Sequence, residues 1–254
     1  MKLSTYKLAH LGQNLTAFMF LFVFPFRSPA QATGTHAYGI RAVDTKEAYL
    51  AAVRADSDQA MIELHDLDPT IVYELGYAST RNFTGAPLYP TDTKYTFMRR
   101  PAALALLAVQ KELRTKGLGL KIWDAYRPYA VTVAFWERVH DERYVADPHK
   151  GSLHNRGTAA DLTIIDLATG KELKMPTGWD AMNDSAHQGN MNLPKDMIDN
   201  REFFRSVMER HGFEIFQTEW WHFNWPHPEH YDVLDLDFKT LAQLVRRPGR
   251  KSVH

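Results

Sequence analysis

A carboxylate inside an apolar run constrains this chain more than any other feature. The stretch AADLTIIDL, residues 159–167, has the alternating character of a buried strand, and Asp161 stands within it. A buried carboxylate costs several kcal/mol unless it is paired or binds a metal. His154 lies seven residues earlier, and Gly157 between them allows the backbone to turn back. The sequence therefore predicts that His154 and Asp161 lie together, with a further partner supplied from elsewhere in the chain.

Cysteine is absent from the 254 residues, and this limits the chemistry of such a site. Thiol nucleophiles, thiolate zinc sites and disulfides are excluded. A metal site would have to use His, Asp and Glu, and the chain contains 12 histidines. The 30 basic residues balance the 30 acidic ones, so the charge does not indicate nucleic acid as a partner.

Helical and strand-like segments are intermixed along the chain. The stretches at 99–117 and 195–212 predict helices, and another helix start is predicted at Pro128. The segments LGLKIWDAY, AADLTIIDL and FEIFQTEWWHFNW predict strands. Together with hairpin-like turns, this order predicts an α+β fold with a mainly antiparallel central sheet flanked by helices. Residues 175–194 predict a long loop that forms the lid or rim of a binding site.

The N-terminus has the pattern of a secretory signal peptide. Lys2 and Lys7 precede the apolar run LTAFMFLFVFPF, and a small-x-small site, AQA, ends at Ala32. We predict a signal peptide over residues 1–32, a linker with a first helix over 33–58, and a single domain over 59–254. This apolar run is shorter than the roughly 20 residues of a membrane span. The other apolar runs are also too short to span a membrane, so the mature chain is not expected to be embedded in one. A periplasmic or secreted location is expected, with an uncleaved anchor or a cytoplasmic location as alternatives.

Two further segments carry candidate catalytic residues. In TEWWHFNW, Glu219 and His222 are three residues apart, a spacing that sends them to opposite faces of a regular strand. They can converge only across a bulge, a bend or a helical turn, and the sequence leaves these possibilities open. In KIWDAYRP, Arg127 follows a strand and precedes a helix start, where it can direct a fixed cation into a cleft.

In combination these segments resemble a known family. SLHNRGTAAD matches the pattern Ser-x-His-x-x-Gly-x-Ala-x-Asp, and EWWH matches Glu-x-x-His, as in the zinc D,D-peptidases that share a fold with the Hedgehog signalling domain. GYASTRNFTG, WDAYRP and WDAMNDSAH narrow the resemblance to D-alanyl-D-alanine dipeptidases of the VanX type. The resemblance extends from about residue 60 to about residue 232 and implies the Hedgehog/DD-peptidase-like fold.

The resemblance also implies a catalytic arrangement. One Zn²⁺ per chain would be bound by His154, Asp161 and His222, which leaves a fourth position for water. Glu219 would be the general base, and Arg127 would stabilise the oxyanion during hydrolysis of free D-Ala-D-Ala to two D-alanines. The substrate would therefore be a small D,D-dipeptide, and the sequence gives no oligomeric state.

Three more residues occupy family-like positions for substrate binding: Ser152, Tyr77 and Asp180. Asp180, in the long loop, is predicted to help recognise the ammonium end of the dipeptide. Two other functions are compatible with the same motifs. One is a D,D-carboxypeptidase or endopeptidase that acts on the peptidoglycan peptides of the cell wall. The other is a non-catalytic, zinc-containing binding module, although retention of Glu219 and Arg127 argues against it.

Overall fold

The structure is a computed structural model that describes residues 34–36, 38–142 and 145–245. The predicted signal peptide, residues 1–32, lies outside the described residues and stays a prediction, as does the export that it implies. The division of the chain at residues 33 and 59 stays a prediction as well. None of the described helices combines the length and the hydropathy that a membrane crossing requires.

The described strands and helices follow each other in a mixed order. The strands are β1 (Gly34–Thr35), β2 (Arg41–Ala42), β3 (Met61–Glu63), β4 (Val72–Tyr73), β5 (Phe97–Arg99), β6 (Leu118–Asp124), β7 (Ala159–Asp166), β8 (Glu214–Phe216) and β9 (Glu219–Asn224). The helices are α1 (Lys46–Ala55), α2 (Leu64–Leu67), α3 (Arg100–Arg114), α4 (Tyr129–Val139), α5 (Lys195–Arg210) and α6 (Phe238–Val245). The helices predicted at 99–117 and 195–212 correspond to α3 and α5, and α4 begins after Pro128 as predicted.

The central sheet has five strands in the order β4-β6-β7-β9-β8. Only the β4–β6 pair within it is parallel, and β6–β7, β7–β9 and β8–β9 are antiparallel. The predicted α+β class with a mainly antiparallel sheet is therefore confirmed. Its long strands β6 and β7 come from the two apolar segments that the sequence singled out.

The main core lies between this sheet and the helices α3 and α5. Residues spaced three and four apart along α3 are buried, which gives the helix one apolar face: Ala102, Leu106, Val109 and Leu113. They belong to one apolar cluster with Leu162 and Ile164 of β7. Because side chains alternate along a strand, Asp161 and Thr163 point to the other face of the sheet. Asp161 is nevertheless buried, since other segments cover that face.

A second apolar cluster includes residues from both ends of the described chain. Ala48 and Tyr49 of α1 pack in it with Phe238 and Leu241 of α6. The Tyr49 hydroxyl also accepts the backbone N–H of Met61 in β3, at 2.9 Å. The predicted first helix is thus present, and it packs against the rest of the fold.

Candidate metal centre and active site

Three polar side chains lie side by side across the central sheet. Asp161 of β7 is directly opposite His222 of β9, and on its other side it is opposite Asp124 of β6. Directly opposed residues of antiparallel strands have Cβ atoms about 4.5–5.5 Å apart. Strand pairing therefore brings together Asp161 and His222, which are 61 positions apart in the sequence.

His154 reaches this row of side chains from a tight turn. The 3₁₀ turn His154–Arg156 ends at Gly157, whose φ of 68° lies in the left-handed region that favours glycine. A Cβ at this position would also lie 2.6 Å from the side chain of Met61. β7 begins two residues after Gly157, so the chain reverses between His154 and Asp161, as the sequence predicts.

The potential ligand atoms of these residues converge closely. His154 Nε2 lies 3.3 Å from His222 Nδ1 and 3.5 Å from Asp161 Oδ1, and the last two atoms are 3.0 Å apart. Within the described parts of the chain, two groups of His, Asp or Glu residues are close enough to hold a metal ion. The other group, His227, Glu229 and His230, is exposed to solvent, whereas His154 and Asp161 are buried.

Hydrogen bonds fix the orientation of both imidazoles. His154 Nδ1 lies 2.7 Å from the carbonyl oxygen of Ala125, and His222 Nε2 lies 2.7 Å from Oδ1 of Asn224. Because these oxygens only accept, each ring donates its N–H to them and turns its other nitrogen toward Asp161. When both rings are neutral, these two nitrogens offer lone pairs that can bind one metal ion together with the carboxylate oxygen.

The charges at this cluster favour a positive ion. Burial raises the pKa of the Asp161 carboxyl, but the charges and hydrogen bonds of His154 and His222 outweigh it and hold this pKa well below its usual range. Burial lowers the pKa of the His222 imidazole, yet its hydrogen bond and ion pair with Asp161 reverse the effect and raise that pKa. Asp161 therefore carries a buried negative charge that a metal ion can neutralise.

Glu219 comes close to the cluster through an irregularity in β9. Ile215 of β8 pairs with Phe223, but the next residue of β8, Phe216, pairs with Glu219. This shift is a β-bulge or similar irregularity, and of the three possibilities that the sequence leaves open it is the one that the structure contains. The bulged backbone brings Glu219 Oε2 to 3.8 Å from His222 Nδ1.

The Glu219 carboxyl is buried enough for its protonation to be altered. Burial raises its pKa to about 7, while the charge of His222 acts in the opposite direction. A divalent cation at the adjacent cluster would act in the same direction as His222 and lower the pKa of Glu219, because positive charge favours the carboxylate form. The residue is thus placed next to the potential ligands without being one of the three converging groups.

Arg127 is held by an aspartate that sequence reasoning missed. Its Nε and Nη2 donate to Oδ2 of Asp124, at 3.1 and 2.7 Å, and the Tyr89 hydroxyl donates to Oδ1 of Asp124 at 2.6 Å. Burial alone would lower the pKa of the Arg127 guanidinium, but the Asp124 carboxylate raises it well above its usual value. The signal for Asp124 was its position in WDAYRP, three residues before Arg127.

The three predicted substrate-binding residues lie in two places. Tyr77 and Asp180 are in contact, because the Tyr77 hydroxyl donates to Asp180 Oδ1 at 3.1 Å, and the Phe83 N–H donates to Asp180 Oδ2 at 3.0 Å. Ser152 lies at the turn of His154, whose backbone N–H donates to its hydroxyl oxygen at 3.2 Å. Their contacts with a substrate stay a prediction.

A small cavity connects the predicted ammonium-binding residue with the predicted base. It has a volume of about 250 Å³, and its lining includes Asp180, Met182, Glu219 and Trp221. Pockets for drug-sized ligands are larger, roughly 300–1,000 Å³. The long loop at 175–194 contributes one wall, as predicted, and the size suits a small ligand.

Known proteins are similar to this chain over most of its described residues. The family model described as D-Ala-D-Ala dipeptidase, peptidase M15, matches residues 57–240. The D-alanyl-D-alanine dipeptidase of Escherichia coli (strain K12) is 34% identical over 193 residues, which cover 76% of this chain and 96% of that protein. The dipeptidase of the same name from Enterococcus faecalis (strain ATCC 700802 / V583) is 29% identical over 180 residues, covering 63% and 89%. A solved LD-carboxypeptidase structure, LdcB, overlaps 62% of this chain and 75% of its own with 18% identity and a TM-score of 0.36, too low to support an argument.

Proposed function

The chain belongs to the D-Ala-D-Ala dipeptidase family of M15 peptidases, and we propose that it is a zinc metallopeptidase that hydrolyses free D-alanyl-D-alanine to two D-alanines. One observation carries the proposal: His154, Asp161 and His222 converge beside Glu219 in a chain that matches this family over residues 57–240.

The ligand atoms support zinc as the metal. Tetrahedral zinc with bonds of about 2.0–2.2 Å needs ligand atoms roughly 3.3–3.6 Å apart. Two of the three separations, 3.3 and 3.5 Å, lie in this range, and the third, between Asp161 Oδ1 and His222 Nδ1, is 3.0 Å. Two imidazoles and one carboxylate form a common ligand set of catalytic zinc, in which a fourth position stays open. When bound, the zinc ion supplies Lewis-acid chemistry that polarises the scissile carbonyl and activates water.

Glu219 and Arg127 supply the remaining chemistry. The Glu219 carboxylate accepts a proton from the attacking water and returns it to the leaving amine. Arg127 donates from Nε and Nη2 to Asp124 and also interacts with the Tyr89 hydroxyl. Held in this way, the guanidinium stabilises the negative charge that develops on the carbonyl oxygen. The position of the Arg127 charge is fixed, because two hydrogen bonds to Asp124 hold the guanidinium in one orientation.

Asp180 gives the pocket a group for the free ammonium end of a dipeptide. Its carboxylate accepts from the Tyr77 hydroxyl and the Phe83 N–H, and the same residue lines the cavity next to Glu219. Burial raises the pKa of the Asp180 carboxyl to about 7. An ammonium group bound beside it would favour the carboxylate form, so the site favours a substrate with an unblocked amino terminus. The small cavity, with the long loop as one of its walls, disfavours longer peptides.

A panel of peptides tests the proposed activity. We expect the purified protein to hydrolyse D-Ala-D-Ala and to leave L-Ala-L-Ala and an acylated pentapeptide ending in D-Ala-D-Ala uncleaved. A zinc chelator should abolish hydrolysis and added zinc should restore it, because the metal supplies the Lewis acid. Release of D-alanine from the acylated pentapeptide at a rate comparable to that from the dipeptide would instead indicate a D,D-carboxypeptidase. Undiminished hydrolysis in the presence of the chelator would contradict the zinc mechanism.

A further inference from the structure

One indole links the long loop to the carboxylate of the metal cluster. The Nε1–H of Trp179 donates to Oδ2 of Asp161 at 3.2 Å. The other carboxylate oxygen, Oδ1, lies 3.0 Å from His222 Nδ1 and 3.5 Å from His154 Nε2. The two oxygens of Asp161 therefore have different partners, which fixes the rotation of the carboxylate and directs Oδ1 toward the imidazoles.

The position of Trp179 depends on a glycine in another segment. A Cβ on Gly76 would lie 1.9 Å from Cζ3 of the indole, far closer than two carbon atoms can approach. Trp123 stacks on Trp179 with ring centroids 6.0 Å apart, and Tyr77 packs edge-on against it at 4.8 Å. The indole fills the space that any side chain at residue 76 would need.

The residue after Trp179 ties the same loop to the same segment. Asp180 has a φ of 64°, a left-handed conformation that is uncommon for residues other than glycine. Its carboxylate is bonded to the Tyr77 hydroxyl and the Phe83 N–H, both close in sequence to Gly76. Trp179 and Asp180 thus both contact the segment 76–83. Trp179 bonds to the metal cluster, and Asp180 is the predicted ammonium-binding residue.

We propose that Trp179 is a positioning residue: its indole N–H holds the Asp161 carboxylate so that Oδ1 faces the metal ion. Gly76 leaves the space that the indole occupies. The inference rests on the proposed function, since it assigns a role toward the zinc ion. Without the indole N–H, Oδ2 loses this partner and the carboxylate can rotate. Loss of such an outer hydrogen bond to a metal ligand typically weakens metal binding by about 10–100-fold.

The test measures zinc affinity rather than turnover. Purified wild type and Trp179→Phe compete for zinc with a chromophoric chelator at fixed pH, and the dissociation constant of the variant is expected to rise about 10–100-fold. Phenylalanine keeps an aromatic ring at the site and removes the N–H. Trp220→Phe is the matched control, because it also deletes an indole N–H, one that donates to Thr177 of the same loop at 2.9 Å. Its zinc affinity should stay within about twofold of the wild type, because its partner is no metal ligand.

Gly76→Ala gives an independent route to the same effect. The added methyl group displaces the indole, so zinc affinity should fall although Trp179 and Asp161 are unchanged. Adding Gly76→Ala to Trp179→Phe should cost little more than Trp179→Phe alone, because both remove one hydrogen bond. Circular dichroism identifies a variant that does not fold, and if Gly76→Ala fails in this way, Trp179→Phe decides.

The outcomes separate this inference from the proposed function. If the wild type binds zinc and Trp179→Phe binds it within about twofold as tightly, the positioning role is wrong and the dipeptidase proposal is unaffected. Equal weakening in Trp179→Phe and Trp220→Phe would also overturn it, because general loosening of the loop would then explain both. A wild type that binds no zinc would refute the proposed metal centre itself.

Discussion

Replacing Glu219 by glutamine is expected to lower kcat for D-Ala-D-Ala by about 10²–10⁴-fold without loss of zinc. Glutamine has nearly the same size as glutamate but cannot accept a proton from water. Glu219 is not among the three converging groups, and its Oε2 lies 3.8 Å from His222 Nδ1, so the metal site should remain intact. Steady-state kinetics and metal analysis of the same preparation measure both quantities.

Glu214→Gln provides the control for this change. Glu214 lies on β8 of the same hairpin and is exposed, so the variant loses one carboxylate from the hairpin without touching the cluster. Its kcat and zinc content should equal those of the wild type. If Glu219→Gln retained both zinc and full turnover, Glu219 could not be the general base, and another group near the cavity would have to accept the proton.

Replacing Arg127 by lysine is expected to lower kcat by about 10²–10³-fold, the usual cost of one oxyanion-stabilising donor. Lysine retains the positive charge but cannot donate to Asp124 and to the carbonyl oxygen in the fixed geometry of a guanidinium. KM should change less than kcat, because the oxyanion exists only in the transition state. Zinc content should not fall, since Arg127 donates to Asp124 and not to a ligand.

Arg114→Lys is the matched variant for this measurement. Arg114 also pairs with an aspartate, Asp68, at 3.2 Å, but it lies half-exposed at the end of α3. Kinetics of Arg114→Lys should match the wild type, which shows that loss of an arginine–aspartate pair is not sufficient to impair turnover. A kcat of Arg127→Lys equal to that of the wild type would remove Arg127 from the mechanism.

Local sequence pattern was sufficient for His154 and Asp161. An acidic residue inside an apolar strand needs a partner, and a glycine that allows a reversal made the nearby histidine the natural candidate. Local signals also located α3 and α5, because helix-forming residues, an early Pro101 and the closing glycines Gly117 and Gly212 are local properties of the chain.

The rest of the site depends on strand register, which the sequence does not reveal. Glu219 and His222 can share a site only because β8 and β9 pair irregularly, and neither the bulge nor the partner of Asp161 is encoded in any one segment. The orienting acceptors are ordinary residues at the ends of strands, because Ala125 follows β6 and Asn224 is the last residue of β9, so their sequence context carries no signal. The loop motif alone does not predict the role of Trp179, because its contact with Gly76 joins segments about a hundred residues apart.

The proposed mechanism requires that His154, Asp161 and His222 hold one zinc ion. Anomalous diffraction at the zinc edge, from crystals of the zinc-loaded protein, tests it most directly. We predict an anomalous peak among His154 Nε2, Asp161 Oδ1 and His222 Nδ1, and its loss in His222→Ala. A zinc-loaded crystal with no peak at that position, or a peak that survives in His222→Ala, would contradict the account.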